Sequence, residues 1–177
     1  MSVPGPELLG RLLDRHAPAL TLLARKMCSS PEDVVQEAFL KLSRQAECPR
    51  DAAAWLYRVV RNGAISAGRA ESRRRRHEAA AAAHTERWFA DSASEKMIDA
   101  HAAAAAMDRL PQEEFEVVVA HVWGGLTFVQ IAELVNTTPS TAHRRYQAGL
   151  LALRNFLGEP CPTTDSPTKT MKSCRQN

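Results

Sequence analysis

Three groups of side chains in this chain have the types and spacing to do recognition chemistry. Asp33, Gln36, Glu37, Leu40, Lys41 and Arg44 recur at steps of three and four and so share one stripe of a helix. Acidic helix stripes are ordinarily solvated. The uncharged Leu40 amid these charges is the mark of a docking face. A second stripe holds Arg58, Arg61, Asn62, Ile65 and Arg69, extended by Arg73–Arg76. Guanidinium groups fork onto phosphate, and an Asn amide can read a base edge or hold a flipped base. Asn62 is expected on this exposed stripe, opposite Trp55 and Val59; the plainer alternative is an exposed helix with basic decoration. The third group is Ser140, Thr141, His143 and Arg144 at a helix start, able to meet base edges in a major groove, with Arg145 and the helix N-terminus on phosphate. An ordinary helical hairpin is the rival reading.

The elements that must position these groups are all helical. Leu8, Leu9, Leu12, Leu13, Leu20 and Leu23 predict an amphipathic helix over 6–26. Ser30-Pro31-Glu32-Asp33 reads as a cap, a proline at the first position and an acid at the third. It opens a helix over 31–45 that buries Val35, Ala38, Phe39 and Leu42. Cys48-Pro49-Arg50 breaks the chain, and Asp51 caps a third helix burying Trp55, Leu56, Val59 and Val60. Leu110-Pro111 starts a helix with Phe115, Val118, Val119 and Val122 inward, stopped at Gly124-Gly125. Thr127-Phe-Val-Gln130 is a capping box over a short helix that buries Ile131, Ala132 and Val135. Asn136-Thr137-Thr138 turns into a last helix from Pro139. Its expected buried stripe is Ala142, Tyr146, Gly149, Leu150, Leu153 and Leu157, which leaves Ser140, Thr141, His143, Arg144 and Gln147 outward. A short helix, a brief turn and a longer helix is the helix-turn-helix layout.

Composition agrees. Of 177 residues 29 are Ala and only 14 are Val or Ile, which favours helices over sheet. No apolar run reaches the length needed to span a bilayer, and the first residues carry no export signal, so a cytoplasmic protein without membrane contact is expected. Cys28, Cys48, Cys161 and Cys174 form no C-x-x-C pair, so neither a disulfide framework nor a zinc site is indicated. Phosphate loops, H-E-x-x-H and Gly-x-Ser-x-Gly are missing, the six His are scattered, and His121 reads as a core side chain. No enzyme, metal or cofactor is expected. Net charge is +3, but residues 79–116 carry −5 between two mildly basic blocks. Two basic blocks around an acidic connector fit a bipartite nucleic-acid binder. The expected division is a helical domain over 1–78, an acidic Ala-rich linker over 79–106, a helix-turn-helix domain over 107–157 and a disordered tail over 158–177.

In this order the segments resemble a bacterial RNA polymerase sigma factor of the compact, extracytoplasmic-function type. Pro-Glu-Asp-Val-Val-Gln-Glu-Ala-Phe-Leu-Lys-Leu (31–42) looks like that family's clamp-binding helix. Trp-Leu-Tyr-Arg-Val-Val-Arg-Asn (55–62) looks like its promoter-melting helix, and Leu110-Pro111 through Leu153-Arg154 resembles its helix-turn-helix domain. The resemblance implies docking of Asp33, Gln36, Glu37, Leu40 and Lys41 on the clamp helices of the polymerase's largest subunit, with the flap as a further contact. It implies that Asn62 holds a flipped base of the minus-ten element while Arg58, Arg61 and Arg69 follow the opening strand. Ser140, Thr141, His143, Arg144 and Arg145 would serve the minus-thirty-five element, and the acidic linker would lie in the polymerase's RNA channel. Ser140-Thr141-Ala142 stands where the family more often has Gly-Thr-Val, and the loop at 46–51 lacks an aromatic. Control by an anti-sigma protein, a kinase or the tail is left open. A helix-turn-helix regulator acting without polymerase, or a helical protein-binding adaptor, are the alternatives.

Overall fold

Helix-favouring residues and well-placed stop signals divide the chain into seven helices among the described residues, with no strand. The structure, a computed structural model, describes residues 4–81 and 98–157. The helices are α1 (Pro6–Arg25), α2 (Pro31–Ser43), α3 (Ala52–Ala81), α4 (Ile98–Arg109), α5 (Gln112–Val122), α6 (Phe128–Val135) and α7 (Pro139–Leu157). The centre of the acidic connector, and the tail with Cys161, Cys174 and Ser166-Pro167, lie outside the described residues. Helix α3 runs on to Ala81 and α4 covers Ile98–Arg109, so both ends of the connector are helical.

Helices α1, α2 and α3 pack on one another around Leu20, Leu23, Leu42, Leu56, Val60 and Ala64. Glu71 of α3 accepts from the Ser29 backbone N–H with both oxygens (3.2 and 3.3 Å), which pins the turn between α1 and α2. Asp51 caps α3 through the Ala54 N–H at 2.8 Å. At α2 the expectation needs correcting. Ser30 makes no side-chain cap bond, and that terminus relies on Pro31 and the acids Glu32 and Asp33.

Helices α4 to α7 form the second unit. The capping box at Thr127 and Gln130 is present in both directions, and Asn136 ends α6 in the left-handed region at φ 55°. Thr138 accepts from the Thr141 N–H at 3.2 Å and so caps α7. The two units share a seam, with α1 against α5 and α3 against α6, and their buried cores form one continuous cluster. Helix α5 departs from its expected stripe at both faces. Val122 was expected inside but is 50% exposed, while Glu116, Val117 and Ala120 are buried. A helix between two units is covered on both sides, so a single apolar stripe misjudges its burial. At the far end of α7, Leu157 is likewise exposed rather than buried.

Candidate nucleic-acid interface

The Asp33 stripe lies on α2 as expected. Asp33, Gln36, Glu37 and Lys41 are exposed, and Leu40 keeps 46% of its surface in solvent. Glu37 pairs with Lys41 one turn on at 2.8 Å, and that hydrogen bond and charge hold its carboxyl below the ordinary range. Beside the stripe, Leu9, Leu13, Val35, Phe39 and Leu40 line an apolar groove of about 480 Å³ between α1 and α2. Charged rim and apolar floor together are the makings of a protein-docking face.

On α3 the expected single stripe is split. Arg58 and Arg69 are exposed, but Arg61 is only 20% exposed and Ile65 is half-buried. Arg61 Nε donates to Glu116 Oε2 at 2.7 Å, and Arg58 pairs with Glu133 at 3.3 Å. Asn62 turns the other way. It is exposed in a groove of about 580 Å³ between α2 and α3 with Val34, Glu37, Lys41 and Val59. Val59 lies one turn back on the same face, so the placement of Asn62 opposite Val59 was wrong: residues three apart are neighbours on a helix. Arg73–Arg76 are all exposed on the last turns of α3.

At the start of α7, Ser140, His143, Arg144 and Gln147 are exposed and lie together. Thr141 is half-buried, and its hydroxyl meets that of Thr138 at 2.9 Å. Arg145 is drawn back to 24% exposure by an ion pair with Glu113. The His143 ring stands edge-on to Phe128, centroids 5.0 Å apart, and Phe128 also stacks on His121. His121 Nδ1 lies 2.8 Å from the Leu126 carbonyl, so the ring is bonded as expected, but it is half-buried rather than in the core. The exposed side chains at the start of α7 thus stand beside an aromatic cluster that joins α5, α6 and α7.

Four residues at the seam escaped the sequence reading: Lys26, Tyr57, Glu116 and Glu133. Only Glu116 carried a signal, an acid set directly against the run Val117-Val118-Val119, where burial would demand a cation.

The family model of Sigma-70 region 2 matches residues 12–74, spanning the α2 stripe and most of α3. That of Sigma-70 region 4 matches residues 100–153, spanning the helix-turn-helix. No curated protein matches. The fold is similar to that of the sigma factor RpoE from Bartonella quintana, solved in complex with the anti-sigma factor NepR. There the identity is 21% and the TM-score 0.64, over 87% of this chain and 98% of that one. It is also similar to CnrH in complex with the cytosolic domain of CnrY, at 20% identity and TM-score 0.54, over 89% and 92%. Two sigma-70 regions in order, on a two-unit helical fold, place the chain in a family: it belongs to the sigma-70 factors of transcription initiation, of the extracytoplasmic-function type.

Proposed function

We propose that this chain binds core RNA polymerase, directs it to a subset of promoters and helps to open them, without catalysing a reaction itself. Asp33, Gln36, Glu37, Leu40 and Lys41 are the docking face for the clamp helices of the largest subunit, and the flap meets the C-terminal unit. Arg58, Arg61, Asn62 and Arg69 serve the minus-ten element. Ser140, His143 and Arg144 read base edges of the minus-thirty-five element, and Thr141 and Arg145 steady the backbone contacts. The domain division is 1–78, 79–106 and 107–157, with 158–177 as a tail, and the protein works in the cytoplasm. Among the described residues no helix is long and apolar enough to cross a membrane.

The observation that carries this reading is Leu40, an aliphatic side chain half in solvent among exposed charges and over an apolar groove. Leaving it wet has no structural return, and covering it with a partner does. An anti-sigma protein is the regulator class we favour, because the groove beside Leu40 fits the apolar face of a helix. A pull-down with core polymerase, with and without promoter DNA, tests the proposal. Retention by core alone supports it. Binding to DNA but not to core would make the chain an independent helix-turn-helix regulator, and binding to neither would leave an adaptor.

A further inference from the structure

The apolar groove between α1 and α2 runs from Thr21 and Glu32 at one end to Leu9 and Ser43 at the other. From Thr21 to Leu9 the helix covers about 18 Å at its usual rise per residue. Leu13 and Leu40 both line the groove, and each keeps 46% of its surface in solvent. Toward the Thr21 end its rim is acidic. Glu32 lines the groove itself, and Asp33 precedes Gln36 and Leu40 on one helical row. On α1, Asp14 shares a row with Gly10 and Thr21. All three acids are exposed, and no ion pair among the described residues engages them. The nearby bases Arg11 and Arg44 stand toward the Leu9 end.

The last described helix finishes close to the acidic end of this groove. Phe156, in the last turn of α7, packs under the Arg109 guanidinium at 4.3 Å. Asp108, next to it, accepts from Arg25 at 3.3 Å, and Arg25 lies one turn beyond Thr21 on α1. Of the residues that follow α7, 158–168 carry two acids and no base. Residues 169–177 carry Lys169, Lys172 and Arg175 and no acid, with Met171 as their one large apolar side chain. A tether of the length of 158–168 spans at most about 36–40 Å, twice the length of the groove. Methionine is unbranched and adapts to irregular apolar surfaces.

We propose that residues 169–177 dock in the α1–α2 groove, with Met171 on its apolar floor and the three bases against the rim of Asp14, Glu32 and Asp33. The docked segment covers Leu40 and competes with any partner of the α2 face. This rests on the docking role given to Leu40 above, and it makes the chain's own C-terminal segment a brake on polymerase binding. A segment with a dissociation constant of about 0.1–0.5 mM, held at about 1 mM by its tether, weakens core binding about 3- to 10-fold.

The test compares the full chain with its Lys169→Gln, Lys172→Gln, Arg175→Gln variant. The changes lie past the last described helix and leave the buried core untouched. Arg15→Gln, Arg50→Gln and Arg154→Gln, at three exposed sites off the groove, form the control for net charge. Nuclear Overhauser contacts in protein labelled at its Met and Leu methyl groups read docking, and titration with core polymerase reads competition. Contacts from Met171 to the Leu13 and Leu40 methyl groups are expected in the parent and the control. They should fade in the tail variant, which should bind core about 3- to 10-fold more tightly than the control. Contacts seen only between differently labelled copies would give the groove to a second copy and overturn the proposal. Absent contacts with equal core affinity overturn the docking and leave the polymerase role standing. Contacts present in a chain that binds no core keep the docking, but overturn the brake together with the polymerase role.

Discussion

His16 and Tyr57 meet edge to face inside the N-terminal unit, ring centroids 6.1 Å apart and planes at 87°, and each buries a polar atom with no partner, His16 Nδ1 and the Tyr57 hydroxyl. Tyr57 is fully buried and touches Gly124 across the seam, so the pair ties the α1–α3 packing to the docking of the C-terminal unit. Burial holds the His16 imidazolium below its ordinary range, Arg15 pushes the same way, and Asp51 opposes them. Burial also raises the Tyr57 phenol above its ordinary value. Both rings are therefore neutral at physiological pH, the protonation state a dry pocket favours.

Acid is expected to weaken this fold through His16. Its folded pKa lies below the unfolded value of 6.5, so the unfolded chain binds the proton more readily. Stability is then fully present above that unfolded value and falls as pH drops through it toward the lowered folded value. Thermal melts followed by circular dichroism from pH 7.5 to pH 5 should show a falling Tm in the parent. The slope should flatten in His16→Leu, and an equal slope in the variant would place the acid sensitivity elsewhere.

Two glycines of similar local sequence context should respond oppositely to Ala. At Gly68 the turn after α1 crosses α3, and a Cβ would collide with the Met27 carbonyl oxygen. Gly68→Ala should cost about 1–3 kcal/mol, the range for overpacking a closed contact. Gly10 lies within α1 with nothing within 4 Å of an added Cβ, so Gly10→Ala should gain about 0.5–1 kcal/mol from helix propensity. Urea unfolding of the two variants measures both signs.

Much of this was legible because the signals were local. The Thr127–Gln130 box, the Pro31 and Pro139 starts and the Asp51 cap are each set by a few neighbouring residues, and their helices begin where the sequence places them. The exposed α2 stripe and the α7 start were legible for the same reason. Arg61 was not. Its burial depends on Glu116, 55 positions away, and nothing in the periodicity of α3 reveals what another unit will lay against it. Val117 was missed for the same cause, since α5 is covered from both sides. Asn62 was a plain error of helical geometry.

Reversing the charge at Glu37, or replacing Leu40 with Asp, should abolish capture by core polymerase while leaving the helical spectrum intact. Both side chains are largely in solvent, and surface changes of this kind usually stay within about 0.5 kcal/mol of parental stability. Affinity for core is the measurement. Unchanged affinity in both variants would strip the α2 face of its docking role.

Arg144→Ala should weaken binding to the minus-thirty-five element by about 1–3 kcal/mol and relax preference at one or two positions. Arg144 is exposed, and no hydrogen bond or ion pair among the described residues holds it. His143→Ala removes an exposed ring and also its edge contact with Phe128, so a further loss of about 0.5–1.5 kcal/mol in stability should accompany it. Binding to a panel of single-base operator variants separates the two effects. Equal losses on every sequence would assign Arg144 to phosphate alone.

Asn62→Ala should spare both core binding and duplex recognition yet fail at opening the promoter. The amide is exposed in the groove between α2 and α3, so removing it disturbs little packing. The same groove is lined by Glu37 and Lys41 of the proposed docking face, so a base held there would lie beside the proposed polymerase contact. An extruded base loses stacking and pairing worth a few kcal/mol, which a hydrogen-bonding pocket must offset. Without the amide the duplex stays shut more often, and the defect should shrink on a template already mismatched across the minus-ten element, where that unpairing is already done. Permanganate footprinting on duplex and pre-melted templates reads the difference. Should the variant open duplex promoters as readily as the parent, Asn62 is a solvated groove residue and base capture must lie on the arginines alone.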